Sequence, residues 1–297
     1  MRKKVLLTGI SFAVLWASAS TATKIALTSA QPFVIAVSRF FIAAFIMLVI
    51  SHIFMKNRIP RKREWNAIMF YGLLNVSIYL GLYIVALQKL SAGLGTLAVG
   101  VNPVIISFMA ALFFRQKITL MGVVSLSCCL LGVFIAAWPL LKTSYAGIDG
   151  LMLIFVSMLA YSGAAIFYAR RDWHGLHILT INAWQTLFGG IFLLPCLFFT
   201  FDNKLNIFNS NFWIGTLWLA IPVSIGAVQC WLLLLKYNTA KAAYWLFLCP
   251  VFGFVMAAVL LKEPLSMFTL AGVILVIAGL FVAQRYKVAI ECSPNIV

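Results

Sequence analysis

The sequence predicts an all-α integral membrane protein in which ten transmembrane helices form two five-helix repeats of inverted topology. Composition is the first reason. Of 297 residues, 64% are hydrophobic and only 9% are charged, and the mean hydropathy is +1.07, whereas a soluble domain carries roughly 45–50% apolar and about 25% charged residues. The other two reasons are ten apolar runs of membrane length and a similarity between the two halves of the chain.

Each apolar run has the length of about 20 residues that a helix needs to cross roughly 30 Å of hydrocarbon. The alternating pattern of a membrane β-strand is absent, so the runs are predicted to be helices. The first run follows a basic N-terminus and imitates a signal peptide, but it is too long and lacks a clear cleavage site. The predicted helices are 5–28, 32–54, 65–87, 92–114, 118–138, 147–169, 177–200, 211–235, 241–261 and 266–286.

The distribution of Lys and Arg predicts the orientation of the chain. With the N-terminus in the cytoplasm, sixteen basic residues fall in inside loops and five in outside loops, and Arg39 is left within a helix. Both termini are therefore expected in the cytoplasm. The formal net charge of +16 predicts no nucleic-acid partner, because the basic residues are scattered between apolar spans, where lipid headgroups satisfy them.

The two halves align on each other when the chain is shifted by 147 residues. Because each half holds five helices, an odd number, the second half enters the membrane from the opposite side, as in many secondary transporters with a site between their repeats. The predicted division is 1–141 for the first repeat, 142–290 for the second and 291–297 for a cytoplasmic tail. The shift pairs Pro103 with Pro250, Gly132 with Gly279, and Val76-Ser77-Ile78 with Val223-Ser224-Ile225.

The stretch LLKEPLSMFTLAGVILVIAGL at 260–280 combines a charged turn with two glycines. Gly272 and Gly279 are two helical turns apart and share one face, where a missing side chain lets another helix come close. Glu263 is expected to cap the N-terminus of the last helix, which Pro264 starts, rather than to contact a substrate. Gln116 occupies the equivalent position in the first half and favours this interpretation, since a neutral acceptor can replace a cap.

These features together resemble the EamA-type members of the drug/metabolite transporter superfamily over nearly the whole chain. The residues that carry the resemblance are Leu-Trp-Ala in LWASASTATK (15–24), Arg39, Pro103, Pro250 and KEPLSMFTLAGVILVIAG (262–279). Gln116 departs from the family pattern, because it occupies the position of the acid in the first half. The acidic turn is therefore present in the second half only, at Glu263.

The resemblance implies a secondary transporter of the bacterial cytoplasmic (inner) membrane that exports small metabolites, amino acids or drug-like compounds by alternating access. The alternative is an exchanger of phosphorylated or nucleotide-linked sugars, which would recruit Arg39, Lys24 or Lys241 to an anion. The expected partners are a small-molecule substrate and the lipid bilayer, and the chain is expected to be a monomer or homodimer.

Enzymatic and metal chemistry are not expected, because the spans lack a carboxylate pair, a His/Asp cluster or an activated nucleophile. The sequence therefore predicts no catalytic residues, no metal site and no cofactor. The acids fall in loops or at span ends: Glu64, Asp149, Asp172, Asp202, Glu263 and Glu291. The histidines lie near the cytoplasmic edge: His52, His174 and His177. The cysteines show no ligand spacing: Cys128, Cys129, Cys196, Cys230, Cys249 and Cys292.

Polar and aromatic residues near span midpoints are the candidates for a substrate cavity, because they offer hydrogen bonds or flat apolar faces without a fixed charge. The candidates are Trp16, Asn75, Tyr79, Asn102, Tyr161, Gln229, Tyr244 and Trp245. Pro103 and Pro250 are predicted hinges or gates, since a proline frees the carbonyl four residues back and permits a kink.

Arg39 is the intramembrane charge of the chain and lies about 10 Å below the outer surface at 1.5 Å per residue. A charge at this depth is expected to face the bundle interior and to find a partner. The preferred interpretation is a structural anchor, held by helix-end carbonyls or by an outer acid such as Glu263. The other is a site for a substrate anion.

Overall fold

The computed structural model describes residues 2–113, 120–142, 146–237, 245 and 248–285. These residues form helices joined by short loops, and an isolated antiparallel bridge pairs Leu90 with Ala146. Helices are the expected outcome for apolar runs in a membrane, because an α-helix satisfies its backbone polar groups internally. The predicted all-α class is confirmed for the described part of the chain.

Within the described residues, eight helices are long and apolar enough to cross a membrane. They are α1 Arg2–Leu27; α2 Pro32–Leu48, which continues as Val49–Phe54; α3 Lys62–Lys89; α4 Ala92–Phe113; α5 Leu120–Ala137; α6 Ile148–Arg170; α7 Ile178–Thr200; and α8, made of Ser210–Trp218, Leu219–Ala227 and Val228–Tyr237. Two further apolar helices follow, α9 Leu248–Leu261 and α10 Met267–Arg285. The predicted number of ten membrane spans therefore stays a prediction.

Three helices contain π-helical segments, Val49–Phe54 in α2, Leu73–Ile78 in α3 and Leu219–Ala227 in α8. Such segments are rare and occur frequently at functional sites. Pro222 lies within the segment of α8 and removes one backbone donor there. The segments of α3 and α8 contain the Val-Ser-Ile triplets that the 147-residue shift pairs, so they occupy equivalent places in the two halves.

The two predicted hinge prolines lie elsewhere. Helix α4 runs continuously from Ala92 to Phe113 through Pro103, and Pro250 is the third residue of α9 as described. A Cβ built on Gly100 would lie 2.9 Å from Cγ of Pro250, so α4 and α9 cross closely at this proline. The hinge role of the two prolines stays a prediction.

Glu263 caps α4 and not the last helix, so the expectation for this carboxylate was wrong. Its Oε1 accepts the N–H of Ala92 at 2.6 Å and its Oε2 that of Gly93 at 3.2 Å, and the residue is 8% exposed. A carboxylate at this position stabilises the free N–H groups and the dipole of α4. The contact joins the turn between α9 and α10 to the first half of the chain.

Ser266 takes the place that the sequence suggested for Glu263 and Pro264. Its Oγ accepts the N–H of Thr269 at 3.1 Å, and α10 begins at Met267. A serine at this position is a favoured N-cap. Pro264 therefore precedes the helix and does not start it.

Helices α5 and α10 pack antiparallel with very little space between their backbones. A Cβ built on Gly272 would lie 2.7 Å from Cβ of Ala136 and closer still to the carbonyl oxygen of Gly132. One built on Gly279 would lie 2.9 Å from the carbonyl oxygen of Ser125, whose Oγ donates to the Gly279 carbonyl at 2.8 Å. The prediction that these two glycines let another helix approach is confirmed, and that helix is α5.

The remaining helices surround the middle of the bundle. Helix α1 packs against α8 and α9, α6 packs against α3 and α4, and α2 packs against α7. At one end of the bundle, Arg58 binds both carboxylate oxygens of Glu64, at 2.7 and 2.8 Å, and the carbonyl of His174 at 2.9 Å. At the other end, Gln31 bonds Asn206 through both its backbone N–H and its side chain. Contacts between the two halves therefore exist at both ends.

Candidate functional site

A cavity of about 140 Å³ lies in the middle of the bundle and is lined by helices from both halves of the chain. One buried water needs about 10–15 Å³, so the cavity has room for a small organic molecule. The lining residues are Trp16, Ala19, Ser20, Thr23, Arg39, Phe40, Met47, Asn75, Val76, Tyr79, Leu80, Tyr83, Thr96, Val99, Tyr161, Asn182, Gln185, Thr186, Val223, Ser224 and Val228.

Four of the predicted cavity residues line this space together, Trp16 of α1, Asn75 and Tyr79 of α3, and Tyr161 of α6. The rings of Tyr79 and Tyr161 lie 4.8 Å apart between centroids, and those of Tyr79 and Tyr83 lie 6.1 Å apart. Aromatic rings at these distances attract one another and form a continuous surface. The cavity thus has an aromatic wall that can contact a flat apolar group.

Three other predicted cavity residues, Asn102, Gln229 and Trp245, are not part of the described lining. Asn102 is buried in α4, and its Oδ1 has no donor among the residues that the structure describes. Gln229 is partly buried on α8. Trp245 packs with Phe12 and Cys249 in a neighbouring apolar cluster, and Tyr244 lies outside the described residues.

Three amide side chains connect α3 and α7 at the cavity. Asn75 Nδ2 donates to Gln185 Oε1 at 3.1 Å, and Gln185 Nε2 donates to Asn182 Oδ1 at 2.8 Å. Asn182 and Gln185 are three residues apart and share one face of α7. Neither residue was predicted from the sequence, although two amides at helical spacing within an apolar run are a signal that could have identified them.

Three hydroxyl groups form a second polar group on the wall. Thr96 Oγ1 donates to Ser20 Oγ at 2.8 Å, and Ser20 Oγ lies 2.6 Å from the hydroxyl oxygen of Tyr83. They belong to α4, α1 and α3, so the contact holds three helices together. Hydroxyl groups can both donate and accept, and the wall therefore offers neutral hydrogen bonds of either kind.

Arg39 of α2 is the charged side chain in the described lining. Its Nη2 donates to Ser224 Oγ at 3.2 Å, and Ser224 in turn donates to the Leu219 carbonyl at 2.9 Å within the π-helical segment of α8. The guanidinium carbon lies 5.3 Å from the centroid of the Phe40 ring. The described partner of Arg39 is thus a neutral hydroxyl from the other half of the chain, and not an acid such as Glu263.

The two lysines named for the anion exchanger do not contribute to this lining as described. Lys24 Nζ donates to the carbonyl of Leu87 at 3.0 Å, near the end of α3. A carbonyl near a helix C-terminus is a favourable partner for a cation. Lys241 lies outside the described residues.

The described residues contain no group of three His, Cys, Asp or Glu side chains that could hold a metal ion. The chemistry that the site offers consists of hydrogen bonds from amides and hydroxyls, aromatic surface and one guanidinium. These groups suit reversible binding of a small amphipathic molecule.

The family model of EamA-like transporters matches the chain twice, over residues 3–138 and 148–284. The chain belongs to the EamA-like transporter family. This EamA-like chain is 28% identical over 277 residues to an uncharacterized transporter of Archaeoglobus fulgidus. The alignment covers 92% of this chain and 95% of that protein. It is 24% identical to a probable amino-acid metabolite efflux pump of Salmonella typhimurium, with 91% of each chain covered.

The fold of the EamA-like chain also occurs among solved structures. A crystal structure of a protein 18% identical to it superposes with a TM-score of 0.67, over 97% of this chain and 98% of the other. The family and the apolar helices together make the chain a multi-pass membrane protein of a transporter family. The resemblance noted from the sequence is therefore confirmed.

Proposed function

We propose that this EamA-like protein is a secondary transporter that exports small metabolites, amino acids or drug-like compounds by alternating access. The observation that carries the proposal is the central cavity, whose polar and aromatic lining comes from both halves of the chain. A site between repeats near the membrane midplane is typical of such transporters. The efflux of amino-acid metabolites named for the Salmonella relative belongs to the same class.

The contacts between α5 and α10 support an inverted arrangement of two five-helix repeats. The 147-residue shift equates Ser125 with Gly272 and Gly132 with Gly279. If the two halves are equivalent, the close approach of Gly132 to Gly272 should have a counterpart between Gly279 and Ser125. Both contacts are present. Equivalent helices that pack antiparallel in this way are what inverted topology requires.

A third contact fits the same relation. Cys129 and Val276 are equivalent under the shift, and Cys129 Sγ lies 3.8 Å from the carbonyl oxygen of Val276. Two equivalent residues that contact each other are expected at a two-fold axis between the halves, so this contact supports the inverted arrangement. The packing of α1 on α8 and α9 likewise corresponds to that of α6 on α3 and α4.

The helix irregularities beside the cavity are candidates for the parts that move. The π-helical segments of α3 and α8 contribute Asn75, Val76, Val223 and Ser224 to the lining. Such segments can absorb a local change of helix geometry. We propose that they act as a symmetric pair of hinges together with Pro103 and Pro250.

The second candidate is an exchanger of phosphorylated or nucleotide-linked sugars, and the presence of Arg39 in the lining favours it. A phosphate group carries up to two charges and is usually held by several cationic or backbone donors. The described lining contains one guanidinium and no lysine. The geometry therefore supports the metabolite exporter better.

Transport in proteoliposomes tests the choice between the two candidates. Purified protein is reconstituted, and the flux of labelled neutral amino acids, simple organic acids and sugar phosphates is compared with that in protein-free liposomes. We expect saturable flux for a member of the first two groups and none for sugar phosphates. Exchange of sugar phosphates alone, or the absence of saturable flux for every solute, would contradict the proposal.

The proposed orientation, with both termini in the cytoplasm, is tested by labelling two matched positions. Ile59 and Leu205 are 60% and 59% exposed, and they lie in the connections α2–α3 and α7–α8 at opposite ends of the bundle. In a variant without native cysteines, Leu205→Cys should react with an impermeant maleimide in intact cells, whereas Ile59→Cys should react only after permeabilisation. The opposite pattern would reverse the proposed orientation.

A further inference from the structure

The Arg39 guanidinium is incompletely compensated in the cavity wall. Nη2 donates to Ser224 Oγ at 3.2 Å, the upper end of the normal range for an N–H···O bond. The Nε atom is shielded from solvent and has no acceptor among the described residues. None of the acids in the described part of the chain lines the cavity. The positive charge is therefore held by a hydroxyl and by the ring of Phe40, without a carboxylate.

A charge in this position is costly unless an anion reaches it. Arg39 is partly buried, so the guanidinium loses part of its hydration, and the neutral hydrogen bond to Ser224 restores only part of the lost interaction. The Nε and Nη2 donors belong to the same side of the planar guanidinium, which matches the two oxygens of a carboxylate. This side of the guanidinium has one unused donor, Nε, and one donor bonded to a neutral hydroxyl, Nη2, so its shape and charge match a bidentate anion.

We infer that Arg39 is the anion-binding residue of the cavity and that it selects substrates with a single carboxylate group. The inference rests on the proposed transport function and specifies its substrate class. A bound carboxylate would accept from Nη2 in place of Ser224 and supply the missing negative charge, and a turn of the side chain would bring the shielded Nε to its second oxygen. The rest of the molecule would contact the aromatic wall formed by Tyr79 and Tyr161.

The same geometry predicts that a positive group on the substrate is not required. The described lining offers amide and hydroxyl oxygens but no carboxylate that would pair with an ammonium group. Organic acids and amino acids should therefore both be accepted, while amines of the same carbon skeleton should be rejected by the like charge of Arg39. Specificity for a carboxylate over a neutral amide should come from the charge-assisted hydrogen bonds alone.

Calorimetric titration of purified protein with matched ligands tests this inference. The ligands are 3-phenylpropionate, 3-phenylpropionamide and 3-phenylpropylamine, the corresponding hexyl compounds hexanoate, hexanamide and hexylamine, and glucose 6-phosphate. In the wild type, we expect at least one carboxylate to bind roughly tenfold to a hundredfold more tightly than its amide, the range of a hydrogen bond to a charged group. This comparison needs no variant and does not depend on the folding of one.

Substitutions of Arg39 then identify the residue responsible. Arg39→Gln should remove the preference for carboxylate over amide, and Arg39→Lys should retain part of it, because the charge stays while the planar pair of donors is lost. Equal binding of carboxylate and amide by the wild type, no binding of either carboxylate, or tighter binding of glucose 6-phosphate would overturn the inference. A folded Arg39→Gln protein that keeps the full preference would also overturn it.

The outcomes separate this inference from the proposed function. A protein that carries neutral solutes through the membrane but binds carboxylates no better than amides is a transporter in which Arg39 has a structural role. A protein that carries no solute in proteoliposomes fails the proposed function itself.

Discussion

Replacing Gly272 with leucine is expected to separate α5 from α10 and to prevent recovery of folded protein. A side chain at this position meets the backbone of the neighbouring helix, because its Cβ would lie 2.8 Å from the backbone nitrogen of Ala136 and still closer to the Gly132 carbonyl oxygen. Backbone atoms cannot rotate away as side chains do, so the helices would have to move apart. Overpacking usually costs about 1–3 kcal/mol, and a leucine between two backbones should exceed that range.

Alanine substitutions at Gly272 and Gly163 form a matched pair that should change stability in opposite directions. Gly272→Ala should lower stability by about 1–3 kcal/mol. Gly163 lies within α6 and a Cβ there would meet nothing within 4 Å, so Gly163→Ala should raise stability by about 0.5–1 kcal/mol through helix propensity. Thermal unfolding in detergent measures both. Equal stability of the two variants would show that the α5–α10 contact is not close.

The packing of α10 illustrates what the sequence can predict about the fold. The seven-residue spacing of Gly272 and Gly279 identifies a face that another helix can approach, because helical periodicity decides which residues share a face. Periodicity contains no information about which helix approaches. The identity of α5 as the partner depends on how all helices of both halves pack together.

Glu263 shows the same limit for a polar residue. A local rule assigns a carboxylate to the nearest helix N-terminus in the sequence, which is that of α10. The free N–H groups of Ala92 and Gly93 lie in the other half of the chain, yet the fold brings them within 2.6 and 3.2 Å of the carboxylate. The type of interaction could be predicted, whereas its partner could not.

The cavity was partly predictable because some of its residues are rare in apolar spans. Trp16, Asn75, Tyr79 and Tyr161 stand out near span midpoints and all line the cavity. Ser20 and Thr96 give a weaker signal, since a hydroxyl in a helix commonly bonds to its own backbone carbonyls. Thr96 does lie 3.1 Å from the Ala92 carbonyl, so sequence alone could not assign it to the site.

Asn182 and Gln185 were missed for a different reason. They are the sixth and ninth of the 24 residues in the predicted helix 177–200, so a criterion based on span midpoints passes over them. The cavity reaches them because α7 packs against α2 and the π-helical segment of α3. The packing of helices decides where along each helix a cavity lies. A hydrophobicity profile along the sequence contains no information about that packing.

For Arg39, the cost of a charge within the membrane correctly predicted a position facing the bundle interior. The sequence favoured a structural anchor, with helix-end carbonyls or an outer acid such as Glu263 as candidate partners. That acid is occupied by the start of α4, and the described partner is the hydroxyl of Ser224. The incomplete compensation of the charge is what makes a substrate anion the better interpretation.

Replacing Ala19 with tryptophan is expected to fill the cavity and to stop transport without unfolding the protein. Ala19 lines the cavity on the face of α1 that also carries Trp16, Ser20 and Thr23. The existing space of about 140 Å³ can receive an indole ring, so the substitution should cause less strain than overpacking in a filled core. A substrate that must occupy the same volume would be excluded in every conformation of the transporter.

The measurement is flux in proteoliposomes, with thermal unfolding of the same preparation as the test of folding. Ala19→Trp should show the rate of protein-free liposomes while it retains a cooperative unfolding transition near that of the wild type. Val259→Trp is the matched control, because this position on α9 is 71% exposed and the added ring would face lipid. The control should transport at the wild-type rate. If folded Ala19→Trp also transported at that rate, the substrate would have to pass by a route outside this cavity.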